Sequence, residues 1–197
     1  MIEDLFSVPL YSEQLNLNTG AISKYCLEMK KGISSSSVSN IGGWHSPPLE
    51  GEHEPLNTLL ISILNSAKRY QDTFHYKNPL RISNIWININ GYKDYNSDHH
   101  HTNTVIAGVY YVKVHKNSGD VVFLNPGHIP MDYDWPPEDL KKFNKYNSAK
   151  WMIPPLENRL LLFPGWLRHQ VRPNLNKDHE RISISFNLSR GGLNGGA

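Results

Sequence analysis

The sequence predicts an α+β domain in which helices come first and strands then close into a sandwich or barrel, the helices buttressing one sheet. Three observations predict it. Two segments before residue 73 carry apolar side chains at helical spacing. From residue 80 the period changes to two, in short β-branched runs separated by turn residues. The chain has 197 residues, 39% of them hydrophobic and 19% charged, which suits one domain with one core.

The first helix is expected over residues 19–31, where Ile22, Tyr25, Cys26 and Met29 share one face. Asn18 or Thr19 caps its start and Gly32 follows its end. The second is expected over 55–72, with Leu56, Leu59, Leu60, Ile63, Leu64 and Ala67 on one stripe. The loop between them, 34–55, is rich in Ser, Gly and Pro, and loops of that length are often functional. Its Trp44 argues that part of it packs down.

Strands are expected at 81–90, 104–114, 120–125, 150–154, 159–164, 167–173 and 181–188. Residues 126–149 form an irregular insertion, a lid or rim. The chain thus reads as a single domain, 1–197: helices and loop over 1–80, barrel over 81–190, and a flexible tail over 191–197.

Composition excludes several function classes. The net charge of +2 argues against a nucleic-acid partner recognised by bulk charge. No run of 18 apolar residues exists, so no membrane span is expected. The N-terminus MIEDLFSVPL lacks the basic, apolar, small order of a signal peptide. One cysteine, Cys26, excludes an internal disulfide and a multi-cysteine metal site, and a reducing, cytoplasmic setting fits. Asn, Lys and Ile usage suits an AT-rich genome such as a phage, acting in a host cytoplasm. Oligomeric state is left open. The unusual count is histidine, 10 residues, three of them consecutive at 99–101.

His99 and His101 are separated by one residue, so on a strand both rings reach the same face and one metal ion. Asp98 and His100 have the opposite parity. His169 lies on a distant strand. The strand opened by Arg181 has Arg181, Ser183, Ser185 and Asn187 on one face and Ile182, Ile184, Phe186 and Leu188 on the other. A buried Arg needs a ligand or a wet cavity, because an unpaired buried charge is costly. Three imidazoles bind one face of a transition metal and leave positions open. Arg181 then suits the far carboxylate of a 2-oxo acid held bidentately, with a Ser hydroxyl beside it. A His-x-His pair alone is a weak signal. The conjunction of four residues with matching strand parity carries the reading.

The stretches DHHHTNTVIAGVYYVKV, GDVVFLNP, RLLLFPGWLRHQVRPN and RISISFNL resemble the 2-oxoglutarate/Fe(II)-dependent oxygenases, prolyl-hydroxylase-like members of bacterial and phage type. SNIGGWHS and WININ extend the resemblance over residues 39–190. It implies a double-stranded β-helix, a jelly-roll, cupin-like barrel with N-terminal helices packed on one sheet. It implies a dioxygenase that uses Fe(II) as cofactor and 2-oxoglutarate as cosubstrate. Such an enzyme hydroxylates a peptidyl or small-molecule substrate with release of succinate and CO2. Carried over residue by residue, His99 and His169 match metal ligands and Arg181 the carboxylate-binding residue. Ser183 matches its hydroxyl neighbour, Tyr111 a cosubstrate-binding Tyr, and Asn88 is a further candidate for that pocket. The wider superfamily writes His-x-Asp or His-x-Glu, whereas this chain has His101. Three neutral imidazoles leave the metal at +2 and shift preference toward Zn, Ni or Cu. His101 also fills the position that a halide would need. Trp44, Trp135 and Trp166 are candidates for a substrate rim. Two alternatives stand beside this reading: a three-His metal enzyme of cupin type without 2-oxoglutarate, and a non-catalytic metal- or ligand-binding barrel.

Overall fold

The computed structural model describes residues 1–51 and 53–191. The tail expected to be flexible lies, from residue 192, outside the described residues. Helix α1 spans Thr19–Gly32. Asn18 caps it by accepting from the Ala21 amide at 3.1 Å, and Lys30 and Lys31 sit in the last turn, the end where the helix dipole favours cations. Helix α2 spans Asn57–Thr73 behind a 3-10 turn at Glu54–Leu56 and buries Leu59, Ile63 and Ala67 of the expected stripe together with Tyr70, whereas Leu60 is half-buried and Leu64 is exposed. No helix among the described residues is long and apolar enough to cross a membrane.

The described residues form eleven strands, numbered in chain order. They are β1 (Tyr11–Gln14), β2 (Asn40–Ile41), β3 (Trp44–His45), β4 (Leu80–Asn90), β5 (Tyr95–His99) and β6 (Ile106–Lys113). Then come β7 (Val121–Leu124), β8 (Lys150–Ile153), β9 (Arg159–Pro164), β10 (His169–Val171) and β11 (Arg181–Arg190). They form two antiparallel sheets, ordered β1-β9-β6-β11-β4-β3 and β2-β5-β10-β7-β8. The sheets face each other as a jelly roll, the double-stranded β-helix arrangement.

Side-chain alternation divides the larger sheet's two faces. Ile85, Ile87, Ile89, Ile106, Tyr110, Leu160, Leu162, Ile182, Ile184, Phe186 and Leu188 pack in one cluster with the buried residues of α1 and α2. Ala107, Tyr111, Leu161 and Phe163 point the other way and meet Val121 and Phe123 of the smaller sheet. The cavity that matters below lies between the sheets. Gly108 is required where β6 passes β11, since a Cβ there would meet Phe186 Cζ at 2.3 Å.

β1, β2, β3, β5 and a third helix exceed the sequence expectation, as does a bulge in β4. β1 adds an edge strand to β9. The loop 34–55 is pinned by β2 on β5 and β3 on β4, which is why Trp44 packs down. The insertion 126–149 contains helix α3 (His128–Asp134). β4 bulges at Ser83, because Asn187 pairs Asn84 while Leu188 pairs Ile82.

Phe186 is fully buried at the junction of both helices and the sheet. Phe186→Ala is expected to cost ~3–5 kcal/mol of stability by chemical denaturation, as for other core aromatics. A loss under ~1 kcal/mol would show that this junction does not hold the sheet and helices together.

Candidate metal centre

His99 ends β5, His101 lies two residues on, and His169 opens β10. β5 and β10 are paired, with His99 opposite His169. One imidazole nitrogen from each of the three residues lies within 4.8 Å of the others. The expectation that His99 and His101 share a strand needs one correction, because β5 ends at His99. His101 reaches the same place from an extended segment whose amide donates to the Gly165 carbonyl at 2.9 Å. The chain then turns through Asn103, at φ 56°, to enter β6.

The protein sets which nitrogen of each ring is free. The Nδ1 atoms of His99 and His169 face the carbonyl oxygens of Ser97 at 2.7 Å and Leu167 at 2.9 Å. A carbonyl only accepts, so Nδ1 carries the proton and Nε2 keeps its lone pair. His101 makes the equivalent bond through Nδ1 to the side-chain oxygen of Asn187. Burial lowers the basicity of all three, first among the causes, and takes His169 to about 3. They are neutral at physiological pH, the state that binds metal. Asp98 and His100 are exposed, and Asp98 pairs outward with Arg168 at 2.6 Å.

The rest of the cavity is lined by Arg181, Ser183, Ser185, Asn88, Tyr111 and Trp86, closed by Val121, Phe163 and Val171. No Asp or Glu among the described residues lines it. Arg181 is only 1% exposed. One guanidinium nitrogen, Nη1, donates to the Ser118 carbonyl and, at 3.3 and 3.4 Å, to those of Gly119 and Arg172. That cage needs glycine at 119, where φ is +84° and a Cβ would meet the Arg172 carbonyl at 2.3 Å. The ion pairs of the described residues do not include Arg181. Burial lowers its pKa to about 10, opposed by Tyr111 and Asp94, so it stays charged near neutrality. Tyr111 is held as the neutral phenol, raised to about 12 by burial. Asn88 donates to Ser185 at 3.1 Å and leaves its own buried oxygen without a partner.

The aromatic candidates divide. Trp44 is 6% exposed, belongs to the core beneath the helices and donates its indole N–H to the Ile33 carbonyl at 2.8 Å. It is a packing residue, not part of a rim, because β3 turns its side chain onto the helix face of the large sheet. Trp135 and Trp166 line a separate groove of about 1250 Å³, with Trp151, Tyr146 and the segment 3–10. Phe123 and Leu167 form the groove's inner wall, and Phe123 also stands 6.1 Å from the His169 ring. Trp86, which sequence reasoning passed over, stacks on His45 and meets His101 at a tilt, each ring centroid 5.8 Å away. The available signal was its parity with Asn88 on β4. The carbonyl cage of Arg181 had no signal beyond the Ser118–Gly119 turn.

The class defined is a mononuclear metal enzyme whose pocket collects positive charge and takes an acidic cosubstrate. A family model described as "Putative 2OG-Fe(II) oxygenase" matches residues 84–187, more than half of the chain, and the chain belongs to that family. The family uses Fe(II) and 2-oxoglutarate. Among solved structures, a Pseudomonas putida prolyl-4-hydroxylase has a TM-score of 0.66 at 11% identity, covering 93% of each chain. A Trichoplax adhaerens prolyl hydroxylase, solved with a hypoxia inducible factor peptide, has a TM-score of 0.64 at 15% identity over 93% of this chain and 83% of that one. HygX of Streptomyces hygroscopicus, with nickel and 2-oxoglutarate bound, has a TM-score of 0.64 at 10% identity over 93% and 84%. These likenesses share the fold. No curated protein matches.

The histidines predict a pH dependence. Burial holds the His169 pKa at about 3 in the fold, against an ordinary 6.5. The unfolded chain therefore takes up its proton first, and stability falls as pH drops from 6.5 toward 3, at up to ~1.4 kcal/mol per unit for each such group. Metal-free protein should lose melting temperature between pH 7 and pH 5. His169→Gln should flatten that loss, and an identical slope in both proteins would contradict the assignment.

Proposed function

We propose that the chain is an Fe(II)- and 2-oxoglutarate-dependent hydroxylase acting on a peptide or small molecule. His99, His101 and His169 would hold the metal in the cavity that Arg181 also lines. Three neutral donors, each with its Nδ1–H already bonded to an oxygen of the chain, fit a divalent ion well. When bound, iron supplies the redox chemistry that couples decarboxylation of the cosubstrate to hydroxylation.

The chain's own residues supply position and charge. Arg181 carries the reading, as a buried cation with carbonyl partners and no carboxylate. A dianion that reaches from the metal to Arg181 neutralises both ends of an otherwise acid-free pocket. The guanidinium orients the far carboxylate, the Ser183 hydroxyl adds a bond, and the Tyr111 phenol donates. The partnerless Asn88 oxygen lies in the same pocket. Val121, Phe163 and Val171 keep water from this end.

The groove containing Trp135 and Trp166 would receive the substrate's body, its aromatic faces suiting a cyclic or flat group. Residues 1–80 act as buttress and 81–190 as the barrel carrying every named ligand, within one domain. A cytoplasmic setting, in a host cell if the chain is phage-encoded, is supported by the lone, reduced and buried Cys26. A cupin-type enzyme without 2-oxoglutarate, or a silent barrel, leaves Arg181 without an anionic partner.

The test is succinate release from 2-oxoglutarate with added Fe(II). Wild type should turn over, and His169→Ala should fall to background. Arg181→Met should raise the 2-oxoglutarate requirement on the order of a hundredfold, the scale of removing one partner of a buried charge pair. Equal succinate release by wild type and His169→Ala would overturn the reading.

A further inference from the structure

His99 and His169 are oriented by backbone carbonyls, which no substitution of a side chain removes. His101 is different: its Nδ1 is held by the side-chain oxygen of Asn187. We infer that Asn187 is the positioning residue of the metal centre, setting the tautomer and ring direction of His101, the ligand that stands where relatives carry a carboxylate. This inference rests on the metal-binding reading above.

Three observations carry it. Asn187 lies on β11 with the parity of the cavity-lining Arg181, Ser183 and Ser185, so its side chain leaves the strand on their face, where it reaches His101. Its backbone is fixed by the β4 bulge, where Asn187 pairs Asn84, Leu188 pairs Ile82, and the intervening Ser83 donates through its hydroxyl to the Asn187 carbonyl at 3.2 Å. Bulges re-aim side chains in this way. The His101 ring is also held from one side by Trp86, tilted 36° at 5.8 Å. The indole restricts the ring's tilt but bonds neither nitrogen, so the choice between nitrogens falls to the amide.

The chemistry follows from which end of the amide meets the ring. An amide oxygen accepts from Nδ1–H and leaves the Nε2 lone pair toward the other two histidines. An amide NH2 in that place would donate to Nδ1, put the proton on Nε2 and remove one ligand. Asn187 is neutral, so it orients His101 without adding negative charge. A carboxylate in its place would keep the acceptor, make the imidazole a stronger donor and return one step outside the centre the charge that His101 omits.

Co(II) is the probe, read by affinity in competition with a chromophoric chelator and by its visible d–d absorption. Asn187→Leu should bind Co(II) at least tenfold more weakly than wild type, within the 10–100-fold range for such partners. Asn187→Asp should bind within threefold of wild type or more tightly, with a shifted visible band. Wild-type affinity in Asn187→Leu overturns the inference. So does Asn187→Asp as weak as Asn187→Leu, because an acceptor oxygen at 187 then does nothing for His101. Should Asn187→Leu not fold, long-range nitrogen NMR of metal-free wild type decides: His101 protonated at Nδ1 supports the inference, and protonation at Nε2 overturns it. Co(II) binding without succinate release by wild type removes the oxygenase reading and leaves this one standing. Absence of Co(II) binding by wild type overturns both.

Discussion

The period-two alternation of β11 is the constraint on which the molecule depends. Its even-numbered residues, Ile182, Ile184, Phe186 and Leu188, are buried against the helices and join the large sheet to its buttress. Of its odd-numbered residues, Arg181, Ser183 and Ser185 line the cavity between the sheets, and Asn187 on the same face reaches His101. A slip of one residue would exchange the faces, placing a guanidinium under the helices and a phenylalanine in the site. The pairings to β4 and β6 on either side hold the register that prevents this. Core and chemistry are therefore specified by one strand.

The electrostatics of the cavity follow from that strand and its surroundings. Three neutral imidazoles, a cation in a cage of carbonyls and a neutral phenol make a pocket with no acidic side chain among the described residues. An empty pocket of this kind bears an uncompensated Arg181, and a metal-loaded one bears more positive charge still. An acidic ligand is the natural counter-charge. The scaffold tolerates the strain because Gly119 lets the turn carbonyls approach the guanidinium and because the helices cover the opposite face of the sheet.

Much of this was legible from residues alone, for identifiable reasons. The two helices announced themselves by their stripes, and β11 by strict alternation, although it runs on to Arg190 beyond the expected end at 188. His99, His101, His169, Arg181, Ser183 and Tyr111 come together around one cavity because parity on a strand translates directly into a shared face. What escaped depends on partners far away in sequence. β1 is an ordinary polar stretch until β9 pairs with it. Trp44 read equally as rim or core, and only its pairing on β4 decides for core. Trp86 looked like one more strand aromatic until His45 and His101 enclosed it. Asn187 stood on the right face, but its bond to His101 spans 86 residues of sequence and passes beside a bulge that no alternation pattern announces.

The central claim is a metal centre built from three neutral imidazoles with no protein carboxylate. X-ray absorption on Fe(II)-loaded protein tests it most directly, by counting the imidazole rings in the iron's coordination shell through their multiple scattering. Three rings are predicted. Two rings with a carboxylate oxygen from the chain, which would have to come from a residue such as Asp98 turned inward from Arg168, would contradict it.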